Sequence, residues 1–261
     1  MSEQYYHLYK RFVPVEELED LIQQTFAFKK AFYHPERLAD HTTYLADEKP
    51  RRTSHAYAVS RDYAGGILPA INLSTLEDNL LIQVGEQVMY QKLGLSTDNR
   101  CLFNVQEYYG SSEAVPKHND GELLEFKVRE DGSLYIIRSI RPEKVAVLTL
   151  VNSSVDGGTR VHFPDGTSEV VRAEAGDLLV FDNLHCLHSV DPLYGHVARP
   201  DGLLRMTIGW RSLGEKTYYE NTAGIFQVGK TEAEKIIQQW YENEWPAQWA
   251  KIQAETQQAA F

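Results

Sequence analysis

Apolar positions along the chain change their period twice. From Val15 to Phe32 (VEELEDLIQQTFAFKKAF) they fall near helical spacing, acids fill the first turn, and His34-Pro35 closes the segment. This pattern predicts an amphipathic helix. Residues 35–72 carry no clear period and read as loops with short elements. Ser74-Thr75-Leu76-Glu77 has the form of a capping box ahead of a second helix over roughly 75–93, which Gly94 stops. The first hundred residues therefore read as mostly helical.

From Cys101 to Leu213 the pattern shortens to β-like runs: CLFNVQEYY, LLEFKV, SLYIIRSI, VAVLTLV, TRVHF, SEVVRA, DLLVF and LLRMTIGW. Turn signals separate them, among them Asp131-Gly132, Asp165-Gly166 and Gly176-Asp177. About eight short strands at this spacing predict a sandwich or jelly-roll barrel. Helical periodicity returns from Thr231 to Ala260. The expected architecture is a mainly β fold with flanking helices, in one domain over 1–261. Residues 1–100 would be mostly helical support and pocket loops, 101–213 a jelly-roll core, and 214–261 C-terminal helices.

Composition narrows the function classes. Across 261 residues, 43% are hydrophobic and 24% charged, with a formal net charge of −11. That surface repels phosphate backbones and argues against a nucleic-acid partner. Two cysteines, Cys101 and Cys186, make no disulfide framework. The N-terminal MSEQYYHLYKRF lacks the apolar stretch of a secretory leader. No apolar run reaches the roughly 18 residues of a membrane span. The expectation is a cytoplasmic protein with reduced thiols, and nine histidines invite a closer look.

His118-Asn119-Asp120 follows the strand CLFNVQEYY and a loop containing Gly110 and Pro116. In an extended segment, residues i and i+2 point to one side, so His118 and Asp120 can aim donor atoms at one point. Seventy residues after His118, AGDLLVFDNLHCLHSVDP brings His185 and His188 after an apolar strand. Two imidazoles and one carboxylate form the facial triad of non-haem Fe(II) sites, which leaves positions open for a chelating cosubstrate and O2. His188 is the preferred third member over His185. Seventeen residues further, RMTIGWR puts Arg205, Thr207, Gly209 and Arg211 on one strand face and Met206, Ile208 and Trp210 on the other. A guanidinium on an inward face needs an anion, and its fork with a neighbouring hydroxyl suits a carboxylate. Arg199 and Arg211 are competitors for that role. Cys186 reads as a small buried hydrophobe. Arg51, Arg52 and Arg61 are candidates for an anionic group, with solvated charges the simpler reading.

The ordered set His118-Asn119-Asp120, His188 in GDLLVFDNLHCLHSV and Arg205-Met206-Thr207 resembles the Fe(II)/2-oxoglutarate-dependent dioxygenases over residues 101–213. The resemblance implies a double-stranded β-helix (jelly-roll, cupin-like). It implies Fe(II) held by His118, Asp120 and His188, and 2-oxoglutarate held by Arg205 and Thr207 with Tyr109 as a further donor. It also implies consumption of O2, stimulation by ascorbate, and hydroxylation of a small metabolite, such as a free amino acid or natural-product intermediate, with succinate and CO2 as coproducts. A carboxylate at position 120 points away from the related halogenases, which carry a small residue there. The chain departs from the family pattern in the long spacing from His188 to Arg205, which requires an inserted loop. The alternatives are a cupin-type metal enzyme or isomerase without 2-oxoglutarate, and a protein or peptide hydroxylase of the same family.

Overall fold

The computed structural model describes residues 5–32, 41–44, 50–62, 70–109, 114–120, 124–128, 134–139, 142–155, 158–195, 199–212 and 216–219. The C-terminal helices expected over 231–260 lie outside these residues.

Among the described residues, two α-helices lie ahead of Cys101. α1 (Leu18–Ala31) matches the predicted helix and starts after a single 3-10 turn at Val15–Glu17. α2 (Leu80–Glu86) continues as a π-helical turn, Gln87–Lys92, and ends at Gly94, whose φ of 71° needs a residue without Cβ. It starts later than the Ser74–Glu77 pattern suggests. Asn72 and Asn79 do the capping: Asn72 accepts from the Ser74 amide of a short 3-10 turn, and Asn79 accepts from the Ile82 amide at the start of α2.

The described strands in chain order are β1 (Tyr6–Tyr9), β2 (His41–Tyr44), β3 (Pro50–Ser60), β4 (Ile71–Asn72), β5 (Cys101–Tyr109), β6 (Val115–His118), β7 (Leu124–Val128) and β8 (Leu134–Ser139). They continue as β9 (Lys144–Asn152), β10 (Thr159–His162), β11 (Ser168–Val171), β12 (Leu178–Asp182), β13 (Leu187–Val190), β14 (Leu203–Ser212) and β15 (Lys216–Tyr219). A major sheet runs β1-β12-β9-β14-β5-β3-β2, with β4 parallel beside β3. A minor sheet runs β11-β10-β13-β6, and β15-β8-β7 form a third. From β9 to β14 the chain passes between the major and minor sheets, which makes the core a double-stranded β-helix.

The first hundred residues are less helical than their pattern suggested, because β1 and β3 both belong to the major sheet. The eleven residues of β3 lack a strand's period for a physical reason. Thr53, His55, Tyr57 and Val59 are buried on one face, while Ser54 and Ala56 line the barrel interior on the other. Both faces are covered, so the alternation of apolar and polar residues that marks a half-exposed strand is missing.

α1 and α2 cover the outer face of the major sheet. Leu21, Ile22 and Phe28 of α1 and Leu81 and Val84 of α2 share one core cluster with Tyr57, Phe103, Leu148, Ile208 and Trp210. The Phe28 ring meets Tyr57 at 5.3 Å and Phe103 at 5.2 Å, both edge-on, and such pairs add about 0.5–1.5 kcal/mol each beyond area burial. Inside the barrel, two smaller clusters tie the sheets together. Val145, Leu179 and Phe181 meet Val161 and Val171 in one, and Tyr108 and Leu204 meet Val115 and Val190 in the other.

Candidate metal centre and anion pocket

His118 ends β6 and His188 sits on β13, and the two are direct cross-strand partners. Register alone therefore brings the imidazoles together, with ring centroids 4.2 Å apart. Asp120, two residues beyond His118, completes the group: one donor atom from each of His118, Asp120 and His188 lies within 4.8 Å of the others.

Each side chain is held in a state fit for ligation. His118 donates from Nδ1 to the Pro116 carbonyl at 2.7 Å, which leaves the Nε2 lone pair free, and that nitrogen lies 4.0 Å from Oδ1 of Asp120. Burial pushes the His188 imidazole down to about 3, so it is neutral at physiological pH. Burial works against the Asp120 charge, but the Arg211 guanidinium and then the two imidazoles outweigh it and hold the carboxyl down to about 2. The Asp120 main chain is fixed by Asn183, which has no exposed surface. The Asp120 amide donates to Oδ1 of Asn183 at 3.0 Å, and Nδ2 of Asn183 donates back to the Asp120 carbonyl at 3.0 Å and to the Pro142 carbonyl at 2.9 Å.

The competitors separate cleanly. His185 is exposed, and its Nδ1 is 2.7 Å from Asp182 at the end of β12. Arg199 pairs with Glu19 at 3.1 Å and Asp201 at 3.2 Å. Arg211 pairs with Asp120. Arg205 is only 2% exposed, and its one hydrogen bond among the described residues runs from Nη2 to Oγ1 of Thr159 on β10, at 3.2 Å. Its Nε and Nη1 are buried without a partner. Burial lowers its proton affinity, yet a guanidinium stays charged. A buried cation with two open donors is costly unless an anion meets it, and a carboxylate fits that fork. Thr207, buried on the same face, pairs across the sheet with Thr149, whose hydroxyl is also buried and unpaired.

Tyr109 departs from expectation. Strand parity sends it to the helix-covered face with Phe103 and Val105, where it packs on the outer core, and burial first and Glu107 second push its phenol up. Its neighbour Tyr108 is the tyrosine inside the barrel, with the Arg205 guanidinium 5.5 Å from its ring centroid. The alternation in CLFNVQEYY carries this distinction. Asn183, Thr149 and Thr159 have no comparable signal, since their roles arise from contacts far apart in sequence. Cys186 is buried in an apolar cluster and burial pushes its thiol up to about 12, in keeping with a packing role.

Neither a protein-family model nor a curated protein matches the chain. Solved structures do. It is similar to the non-haem α-ketoglutarate-dependent carbocyclase SnoK from nogalamycin biosynthesis, with a TM-score of 0.50 at 11% identity, over 85% of this chain and 84% of that one. It is also similar to a 2OG-Fe(II) oxygenase-family oxidoreductase from Burkholderia pseudomallei (TM-score 0.47, 14% identity, 83% and 89% covered) and to a Pseudomonas putida prolyl-4-hydroxylase (0.42, 19%, 79% and 91%). The likeness to SnoK establishes the fold. The His-Asp-His set by which the sequence resembles these oxygenases is assembled on it.

Proposed function

We propose that this chain is a non-haem Fe(II)- and 2-oxoglutarate-dependent oxygenase that hydroxylates a small molecule. The observation that carries this reading is Arg205, a buried cation with two unpaired donors on the inward face of the strand that also supplies Arg211 to Asp120. A cupin-type enzyme without 2-oxoglutarate has no use for such a group.

The donor set fits the iron: two imidazoles and one carboxylate, with one histidine's tautomer fixed by a backbone carbonyl. His118, Asp120 and His188 would hold the metal. Arg205 and Thr207 would bind the far carboxylate of 2-oxoglutarate and fix its orientation. Bound together, the two supply the oxidising power to place one atom of O2 in a substrate C–H bond, with succinate and CO2 as coproducts. Asn183 would keep the Asp120 backbone in place as the carboxylate turned from Arg211 to the metal, and Phe181, in an apolar cluster, packs its ring 4.9 Å from the His188 ring.

The test is succinate formation from protein supplied with Fe(II), ascorbate and 2-oxoglutarate, with and without a pool of small metabolites. The expected result is succinate that rises with the pool, alongside a product heavier by one oxygen. Absence of succinate in every condition would contradict the proposal.

A further inference from the structure

The inward face of the major sheet continues beyond β14 onto β5 and β3, and the metal centre and Arg205 leave that part unused. Register places Arg52, Ser54 and Ala56 of β3 level with Tyr108, Gln106 and Asn104 of β5, and these level with Arg205, Thr207 and Gly209 of β14. In-register neighbours share a face, so all of these positions look into the barrel.

The chemistry of this wall is one-sided. Tyr108 donates to Oε1 of Gln106 at 2.6 Å, and Ser54 donates to Oδ1 of Asn104 at 3.3 Å. Both amide oxygens are therefore engaged, while neither amide nitrogen donates to a group among the described residues. Arg52 lays its guanidinium 5.7 Å from the centroid of the Tyr108 ring, and its Nε is buried without a partner. No described acid lies on the β3 and β5 positions of this face. Arg52 and the two amide nitrogens thus present donors, and each amide oxygen already accepts one hydrogen bond, in a protein whose net charge is −11. Gly209 adds no side chain to this wall: a Cβ there would sit in ordinary van der Waals contact, 3.8 Å from the Ala146 carbonyl oxygen and 3.9 Å from Asn104.

Arg52 and Arg205 flank the same tyrosine ring from different strands. Arg205 is sealed inside and bonded to the minor sheet, whereas Arg52 is half-buried, two strand spacings away (about 10 Å) on the more open side. One 2-oxoglutarate would offer one carboxylate away from the metal, and Arg205 would take it. A second cation calls for a second anion. We propose that Arg52, Gln106 and Asn104 form the subsite for the primary substrate, and that this substrate is a small molecule bearing a free carboxylate. The inference rests on the oxygenase reading above.

The test uses the twenty standard free amino acids, each against its C-terminal amide, on protein saturated with Mn(II) and 2-oxoglutarate. Binding is read by titration calorimetry, and succinate formation is read on the Fe(II) enzyme. At least one free acid should bind, and its amide should bind about tenfold more weakly or worse. Arg52→Gln should cost that acid a similar factor while the affinity for 2-oxoglutarate stays within about twofold. Equal binding of acid and amide would overturn the proposal, and so would binding of no acid at all. A loss of 2-oxoglutarate affinity in Arg52→Gln matching that in Arg205→Gln would overturn it too, by assigning Arg52 to the cosubstrate. Failure of the wild-type protein to bind 2-oxoglutarate would instead remove the oxygenase reading on which the subsite depends.

Discussion

Along β14, Met206, Ile208 and Trp210 enter the helix-covered core, while the alternate residues Arg205, Thr207 and Arg211 line the inside of the barrel. The first face is close-packed and apolar, with Trp210 in contact with Phe103 at 5.7 Å. The second holds a cation with no anion beside it among the described residues, an ion pair to a metal-ligand candidate and a threonine hydroxyl unpaired among those residues on the next strand. Stability resides in one face, and the other keeps bonding capacity unmet among the described residues, which the proposed function assigns to a ligand.

Substitutions on the two faces should therefore act with opposite signs. Trp210→Ala removes the largest side chain of the outer face and should cost about 3–5 kcal/mol in denaturant unfolding, with 2-oxoglutarate affinity unchanged in the protein that remains folded. Arg205→Met should weaken 2-oxoglutarate binding by about 2–5 kcal/mol, yet leave the ligand-free protein as stable as wild type or more so, since a desolvated charge is gone. If Arg205→Met instead unfolds the protein, the guanidinium is structural and the contrast between the faces collapses.

Two smaller effects sharpen the comparison. Asn183→Ala should lower Mn(II) affinity about 10–100-fold, because the Asp120 main chain loses both of its bonds to that side chain. An unchanged metal affinity would show that Asp120 needs no such support. Asp177 lies outside the pocket at the start of β12, where Lys10 bonds it at 2.7 Å and the Arg11 and Glu174 amides each donate at 2.9 Å. Burial opposes its charge, but these bonds prevail and its carboxyl is held below the usual value of 3.8. A depressed carboxyl lends stability above the unfolded-state value and loses it as pH falls through the folded one. Asp177→Asn should thus be less stable than wild type at neutral pH, with the gap closing below about pH 4 while metal binding at neutral pH is unaffected.

Much of the barrel was legible because its strands alternate and its turns carry Gly and Asp. Gly176 shows the turn chemistry: its φ is 91°, and a Cβ there would lie 2.4 Å from the Val13 carbonyl. His118, Asp120 and His188 were legible because spacing and strand ends place them. β3 was not, since a strand covered on both faces loses its period. Tyr108 was hidden behind Tyr109 although strand parity separates them. Asn183 was out of reach, because its meaning depends on a partner 63 residues away; Arg52 stood among the candidates for an anionic group, but its place beside Tyr108 depends on the pairing of neighbouring strands.

Titration of 2-oxoglutarate into Mn(II)-saturated protein reads Arg205 and the metal centre in one experiment. Saturable binding of one molecule per chain is expected, dependent on the metal and weakened by about 2–5 kcal/mol in Arg205→Met. No binding, or binding indifferent to both the metal and Arg205, would contradict the oxygenase reading.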